Sequence, residues 1–264
     1  MPLANFEEYL NLLKINLGFR FNQAGNTAIS NRPSLASQYF VPAPSTPTVG
    51  IALDSTSPYG IQNSLSNPTL LGGRFSASSS QGSTVLVADL LSISGGLVAS
   101  VATPQSTNLP TAPLTRYTDG NGVFAAAICY AAVGNNPVTI QSTYVNQSGM
   151  TNITPETQFA GSGFTALGRL IILPLASGDT GVRSVTSVTL SGTAGSSSNF
   201  GILLFKPLAL IGLDSYTSDY QIDAISSGKF VGAFAQALPG ACLGIITIGG
   251  PAQNLNGTLF LSEV

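Results

Sequence analysis

The sequence predicts an all-β protein, a jelly-roll-like β-sandwich preceded by an amphipathic helix and an extended arm rich in Pro and Ser. From about Leu70 onward, short apolar runs rich in Val, Ile, Leu and Thr alternate with turns of Gly, Asn, Asp and Ser. About ten such runs follow one another without the intervening helices of β-α-β units, which favours a sandwich. A clear amphipathic helical pattern occurs only at the N-terminus.

Residues 3–17 are the predicted helix. Asn5 is a suitable N-cap, Glu7 and Glu8 lie in the first turn where the helix dipole favours anions, and Lys14 lies near the end. Apolar residues at spacings of three and four form one face, which has to dock on another surface. That surface is either this chain's own sheet or a neighbouring subunit. The candidate docking residues are Phe6, Tyr9, Leu10, Leu13 and Leu17.

The segment from Asn22 to Asn67 is rich in Pro, Ser, Asn and Thr, and only short pieces such as Val49–Leu53 are suited to strand pairing. An irregular segment of this length is unusual inside a compact domain. We therefore expect an arm that extends over the protein or to another copy. The predicted organisation is helix and arm over residues 1–70 and sandwich body over residues 71–264.

The body contains candidate strands separated by turns that tolerate positive φ, at 94–96, 119–122 and 134–137. Pro207 is expected to limit its run to an edge or a bend. The segment from Tyr216 to Leu238 fits either a short helix or a loop. The candidate strands are Gly72–Ser76, Ser83–Ser94, Gly96–Val101, Gly122–Val133, Val138–Val145, Phe164–Pro174, Val182–Ser191, Asn199–Leu213, Cys242–Ile248 and Gly257–Ser262.

The composition restricts the chemistry. Charged residues make up 8% of the chain, the formal net charge is −2, and there is no His. This excludes Ser-His-Asp and Cys-His nucleophiles and His-ligated metals, and nine cations form no basic footprint for nucleic acid. We expect no enzyme activity, no cofactor and no metal. A neutral polar surface favours a subunit that neighbours cover, because charged residues are depleted at the centres of interfaces.

The cysteines, the N-terminus and the longest apolar stretch indicate the cellular compartment of the chain. Cys129 and Cys242 stand in apolar settings and are predicted to be buried free thiols. The N-terminus has no charged and apolar secretory pattern, and the longest apolar stretch, Phe200–Leu213, is too short to span a bilayer. We expect a soluble protein made in a cytoplasm, without membrane contact.

Three short motifs match functional signatures, and for each of them a purely structural interpretation is favoured. The run from Asp179 to Gly181 matches the Asp-Thr-Gly signature of aspartic proteases, but it occurs once and lies between two candidate strands as a turn would. The run 120–125 fits a dinucleotide fingerprint by letter but precedes a β-like segment, which favours a hairpin turn. Asp214, Asp219 and Asp223 do not have the spacing of an EF-hand and are expected to be solvated carboxylates.

Three strings within residues 84–264 resemble a family of tailed-bacteriophage virion proteins encoded near the coat-protein gene. The strings are Thr107–Tyr117, Gly178–Val185 and Phe205–Leu208. The resemblance implies a capsid cement or decoration protein on the surface of a virion, bound to a major capsid protein. By analogy with that family, the oligomer would be a homotrimer.

Three other functions remain open at this point. One is an enzyme, which would need two copies of Asp179 to form a carboxylate dyad. A jelly-roll coat protein that forms the shell itself would have the same arm and low charge but would assemble alone. A tail or fibre component would bind a host glycan. The cement function predicts that removal of residues 1–20 abolishes shell binding and leaves the β-body folded.

Overall fold

The computed structural model describes residues 13–22, 33–35, 47, 49–60, 69–78, 83–161, 169–213, 218–222, 237–248 and 254–263. Throughout this part of the chain the regular structure is β, and no helix there is long and apolar enough to cross a membrane. The all-β sandwich predicted from the sequence is confirmed.

Seventeen strands form this part of the chain. In order they are β1 (Leu13–Asn22), β2 (Pro33–Leu35), β3 (Ile51–Ala52), β4 (Thr69–Ser78), β5 (Ser83–Ile93), β6 (Leu97–Val98), β7 (Gln105–Ser106), β8 (Phe124–Cys129), β9 (Val138–Asn146), β10 (Thr151–Ile153), β11 (Thr157–Ala160), β12 (Leu170–Leu173), β13 (Val182–Leu190), β14 (Asn199–Leu213), β15 (Ser218–Ile222), β16 (Cys242–Ile248) and β17 (Asn254–Glu263).

The described strands pair in three antiparallel sheets. The eight-stranded sheet has the order β12-β8-β14-β5-β16-β2, with β3 also paired to β5 and β6 to β14. The five-stranded sheet has the order β10-β9-β13-β7, with β11 also paired to β9. The third sheet has the order β1-β17-β4-β15. The first two sheets pack face to face and form the sandwich.

The helix predicted over residues 3–17 is wrong for residues 13–17, which begin strand β1. In this strand Leu13 pairs with Ser262 and Leu17 with Leu259 of β17. The apolar residues Leu13, Ile15 and Leu17 also fit an alternation of period two, which continues through the rest of β1. Pairing with β17 gives the backbone of the whole segment hydrogen-bond partners along one side, whereas a helix would have stopped before Gly18. Residues 1–12 lie outside the described residues.

Parts of the predicted arm join the sheets of the body. Strand β3 falls within Val49–Leu53, where the sequence predicted a pairing segment, and Ile51 is opposite Ile93 of β5. Strand β2 pairs with β16, which the sequence did not predict. The body boundary near residue 70 stays a prediction. In the ambiguous segment 216–238, residues 218–222 form β15, which pairs with β4.

The eight-stranded sheet buries apolar side chains on both faces. Along β14, Phe200, Ile202 and Leu204 contribute to the core facing the five-stranded sheet, whereas Leu203 and Phe205 contribute to a second core on the opposite face. Burial on both faces explains why β14 reads as a continuous apolar run rather than as an alternating pattern. Among the described residues, this sheet is therefore buried between two apolar cores.

Pro207 lies in the part of β14 that pairs with a strand on one side only. Strand β8 pairs with β14 only from Phe200 to Phe205, while β5 continues alongside to Leu213, with a register shift between Pro207 and Ala209. A residue without an N–H is tolerated at such an irregular, one-sided position. The expected edge or bend at this proline is confirmed.

Candidate interaction surface

One side of the five-stranded sheet faces the core and the other carries neutral polar side chains. Residues of β9 alternate strictly between buried and half-exposed positions: Val138, Ile140 and Tyr144 lie inside. Directly paired residues of neighbouring strands lie on the same side of a sheet. The residues on the other side, here called the outer face, are Thr139, Gln141, Thr143 and Val145 of β9, Thr151 and Ile153 of β10, and Ser184, Ser187 and Thr189 of β13.

Two large apolar side chains stand out at the β9–β10 hairpin. Met150 is 64% exposed and Ile153 is 60% exposed. Ile153 belongs to the outer face, opposite Thr143. Strand β10 is at the edge of its sheet, and such an edge offers unpaired backbone groups to another chain.

The Asp179 cluster, formed by the Asp179 carboxylate with Tyr144, Asn146 and Asn152, fixes the position of this hairpin. The Oδ1 atom of Asp179 accepts a hydrogen bond of 2.7 Å from the Asn146 amide, and its Oδ2 atom accepts one of 2.8 Å from the Asn152 amide. The Tyr144 hydroxyl also donates to Oδ2 and accepts from the Ala176 amide at 2.9 Å. The turn that carries Asp179 is therefore tied to both strands of the hairpin.

These hydrogen bonds explain the ionisation of the cluster. Donation from the Tyr144 hydroxyl, followed by the Asn152 amide, lowers the pKa of Asp179 below its ordinary value. Burial, reinforced by the hydrogen bond to Asp179, raises the pKa of Tyr144 to about 12. At neutral pH the cluster is a carboxylate held by neutral donors, an arrangement that suits a structural clamp.

The Asp-Thr-Gly motif at Asp179 serves as a turn in this structure. An aspartic-protease mechanism needs a second carboxylate that shares a proton with the first. Here both oxygens of Asp179 are engaged by hydroxyl and amide groups, and Gln147 accepts hydrogen bonds of 3.0 Å from the Thr180 amide and 3.2 Å from the Gly181 amide. The turn interpretation is therefore the one that these contacts support.

The glycine-rich run at residues 120–125 is also a turn. Gly120 and Gly122 have φ values of 72° and 67°, which favour glycine, and the run leads into strand β8. A dinucleotide fingerprint would lead into a helix. Among the described residues, no group of three His, Cys, Asp or Glu side chains could hold a metal ion.

Two opposite charges lie at opposite ends of the outer face. Glu156, between β10 and β11, accepts a hydrogen bond of 3.2 Å from the Thr139 hydroxyl at the start of β9. Arg183, at the start of β13, donates to the Gln147 carbonyl oxygen at 2.5 Å, just past the end of β9. Both residues are exposed. The outer face thus has a neutral centre, an acidic end and a basic end.

The predicted docking residues that the structure describes belong to a different sheet from the outer face. Phe6, Tyr9 and Leu10 lie outside the described residues. Leu13 and Leu17 belong to β1, the first strand in the order of the four-stranded sheet. The structure therefore brings two of the five into one strand, and the docking role of all five stays a prediction.

Sequence reasoning missed the buried ion pair between Asp89 and Arg116. The Arg116 Nε atom lies 2.8 Å from the Asp89 Oδ2 atom, and both side chains are buried. The available signal was a lone acidic residue inside the apolar run of β5, since a charged side chain at such a position is seldom buried without a partner.

The comparisons with known proteins identify no family. No family model matches the chain, and no curated protein matches it. The resemblance to tailed-phage virion proteins therefore gains no support from them.

Some solved structures show a weak likeness. One is VP2 of infectious bursal disease virus in a subviral particle, at 10% identity and a TM-score of 0.19, covering 94% of this chain and 79% of that chain. Another comes from T=1 particles derived from the same virus, at 9% identity and a TM-score of 0.18, covering 96% and 79%. Similarity scores this low do not establish a common fold.

Proposed function

We propose that this chain is a structural virion protein that binds the capsid shell and stabilises it as a cement or decoration subunit on its surface. The observation that carries the proposal is the outer face: an ordered, uncharged sheet surface with an exposed Ile153 at its edge. Covering such a surface requires no stripping of water from charged groups, which is the main cost of burying polar interfaces.

The fold suits a role that depends on rigidity rather than on chemistry. The central sheet is buried on both faces, and the Asp179 cluster fixes the β9–β10 hairpin. A subunit that presents a preformed surface loses little conformational entropy on binding. Repeated over many copies in a shell, modest contacts add up to a large stabilisation. This role needs no catalytic group, and we propose that the chain is not an enzyme.

The N-terminal segment is the proposed contact to the major capsid protein. Strand β1 is first in its sheet, so one of its sides has no strand partner among the described residues. An edge strand offers main-chain pairing to a neighbouring subunit. Phe6, Tyr9 and Leu10 precede this edge, and with Leu13 and Leu17 they would supply the apolar part of the contact.

The proposal is tested by mixing the purified protein with preformed capsids and measuring co-sedimentation. We expect binding that is retained when salt is raised to about 1 M, because neutral surfaces are little affected by screening. The triple variant with Phe6, Tyr9 and Leu10 changed to Ala should bind at least tenfold more weakly, while a variant of an exposed loop, Thr111→Ala, should bind as the wild type does. Absence of binding at any salt concentration overturns the cement proposal.

A second candidate is a coat protein that forms the shell itself, favoured by the same neutral outer face. Light scattering after size exclusion, with electron micrographs of the same peak, separates the two. A discrete small oligomer, which we propose to be a homotrimer, supports the cement function. Closed shells formed by this chain alone support the coat function. A tail or fibre component would instead bind a glycan on an array.

A further inference from the structure

We infer that the outer face of the five-stranded sheet is a twofold self-association surface, occupied by the same face of a second copy of this chain. This inference deepens the proposed function, since it names a partner for the surface on which that function rests. If copies also form trimers, the twofold contact joins one trimer to the next.

The first argument is charge complementarity. A twofold contact places the same patch against itself, so the patch has to be complementary to its own image. When the strands of the two copies run in opposite directions, the Glu156 end of one outer face lies over the Arg183 end of the other. Each contact then contains two opposite-charge pairs at its rim and neutral side chains such as Thr143 at its centre. Oppositely charged rims fix the orientation in which two neutral surfaces meet.

The second argument is the area of the face. Strands β9 and β13 have nine residues each, β10 and β11 beside β9 have three and four, and β7 beside β13 has two. At about 3.3 Å a residue and about 4.8 Å between strands, the flat area is about 430 Å² per copy. Two copies would bury about 860 Å², the size of a weak contact, and weak contacts add up when many copies in a shell repeat them.

The third argument is that hydrogen bonds within the chain already hold the outer face in position. The Asp179 cluster ties the β9–β10 hairpin to the turn at residues 176–181, so Ile153 is presented on a fixed edge. The pairing of β13 with β9 has register shifts at residues 182–184 and 185–187, which place extra residues, Arg183 and Thr186, at exposed positions. Two sheets that stack face to face in the aligned class keep their strand directions within about 30° of each other.

Charge reversal tests the inference with the intact chain. Arg183→Glu places two acidic residues together in each pair, and Glu156→Arg places two basic residues together. We expect each single variant to have half the mass of the wild-type oligomer by light scattering at low salt, with at least a tenfold weaker association. An equimolar mixture of the two variants restores opposite charges at both rims, so the wild-type mass should return. The matched controls are Thr111→Glu and Thr111→Arg, in an exposed loop outside the strands of the five-stranded sheet.

Circular dichroism of each variant checks that it is folded, since Arg183→Glu also loses the hydrogen bonds that Arg183 donates to the Asp119 and Gln147 carbonyl oxygens. The mixing result is independent of that loss, because recovery requires the two folded variants to meet. If both single variants keep the wild-type mass, the outer face is not the contact, and the proposed function stands. If the mixture stays at half mass although both variants are folded, the pairing of Glu156 with Arg183 is wrong. A wild-type chain that neither self-associates nor binds capsids overturns the proposed function as well.

Discussion

Arg116 binds Asp89 through two hydrogen bonds in the interior, from Nε to Oδ2 at 2.8 Å and from Nη2 to Oδ1 at 2.9 Å. The same Nη2 donates to the Leu53 and Leu90 carbonyl oxygens, and Asp89 Oδ1 also accepts from the Cys242 amide at 3.0 Å. Burial raises the pKa of Asp89, and the guanidinium of Arg116 opposes that effect. One ion pair thus joins β5, β16 and the segment at residue 53.

Breaking this pair on one side should destabilise the fold strongly. In Asp89→Asn or Arg116→Ala, a buried charge loses its counterion, and the expected loss is about 3 to 5 kcal/mol in the free energy of unfolding. Chemical denaturation of each variant measures it. The double variant Asp89→Ala with Arg116→Ala should lose less than the sum of the two single Ala variants, because they share one interaction. Additive losses would show that the two side chains do not act as a pair.

The stability of the sandwich should depend on pH through Asp179. Its pKa is lowered in the folded state, so it contributes stability above the pKa of an unfolded Asp, about 3.9, and that stability is lost as the pH falls through the lower folded value. The melting temperature of the wild type should therefore fall more steeply below about pH 4 than that of Asp179→Asn. Parallel melting curves for the two proteins across that range would contradict the role of this carboxylate.

Substitution of Gly201 should reveal a close approach of two backbones. A Cβ atom at this position would lie 1.7 Å from the Ser94 carbonyl oxygen, so β14 and the end of β5 would have to separate. We expect Gly201→Ala to cost at least about 2 kcal/mol, as overpacked cores do. Gly192→Ala is the matched control, since its nearest neighbour would be 3.9 Å away, and its effect should stay below about 1 kcal/mol. Equal unfolding free energies for the two variants would contradict the close approach of the backbones at Gly201 and Ser94.

The two cysteines should be inert in the folded protein. Cys129 and Cys242 are buried, and burial raises the pKa of each thiol to about 12. Because the thiolate is the reactive form, a thiol reagent at about pH 8 should label neither residue until denaturant unfolds the chain. Rapid labelling of the native protein at that pH would contradict the burial of these side chains. Cys129→Ser and Cys242→Ser show which thiol reacts.

The sequence predicted the features that depend on local pattern. The apolar run Val138–Val145 predicted strand β9, and the apolar settings of both cysteines predicted their burial. The glycines at 120 and 122 predicted a turn, since positive φ is a local property of the backbone. These predictions succeed because strand periodicity and turn preferences operate over a few residues.

Features that depend on distant partners were not predicted. At residues 13–17 the pattern fitted both a helix and a strand, and pairing with Leu259 and its neighbours in β17 decided between them. The partners of Asp179 come from positions 27 to 35 residues away, and Arg116 is 27 residues from Asp89. Local periodicity contains no information on such contacts.

The sequence by itself determined that this protein is a β-sandwich with a neutral surface, because strand period, turn residues and charge content can all be counted along the chain. Only the tertiary structure decided where the neutral polar side chains lie on the surface. It gathers Thr143 and its neighbours into one flat face and places Glu156 and Arg183 at opposite ends of it. The physical reason is that strand order and register, which bring distant residues side by side, are set by packing of the whole sheet rather than by any single strand.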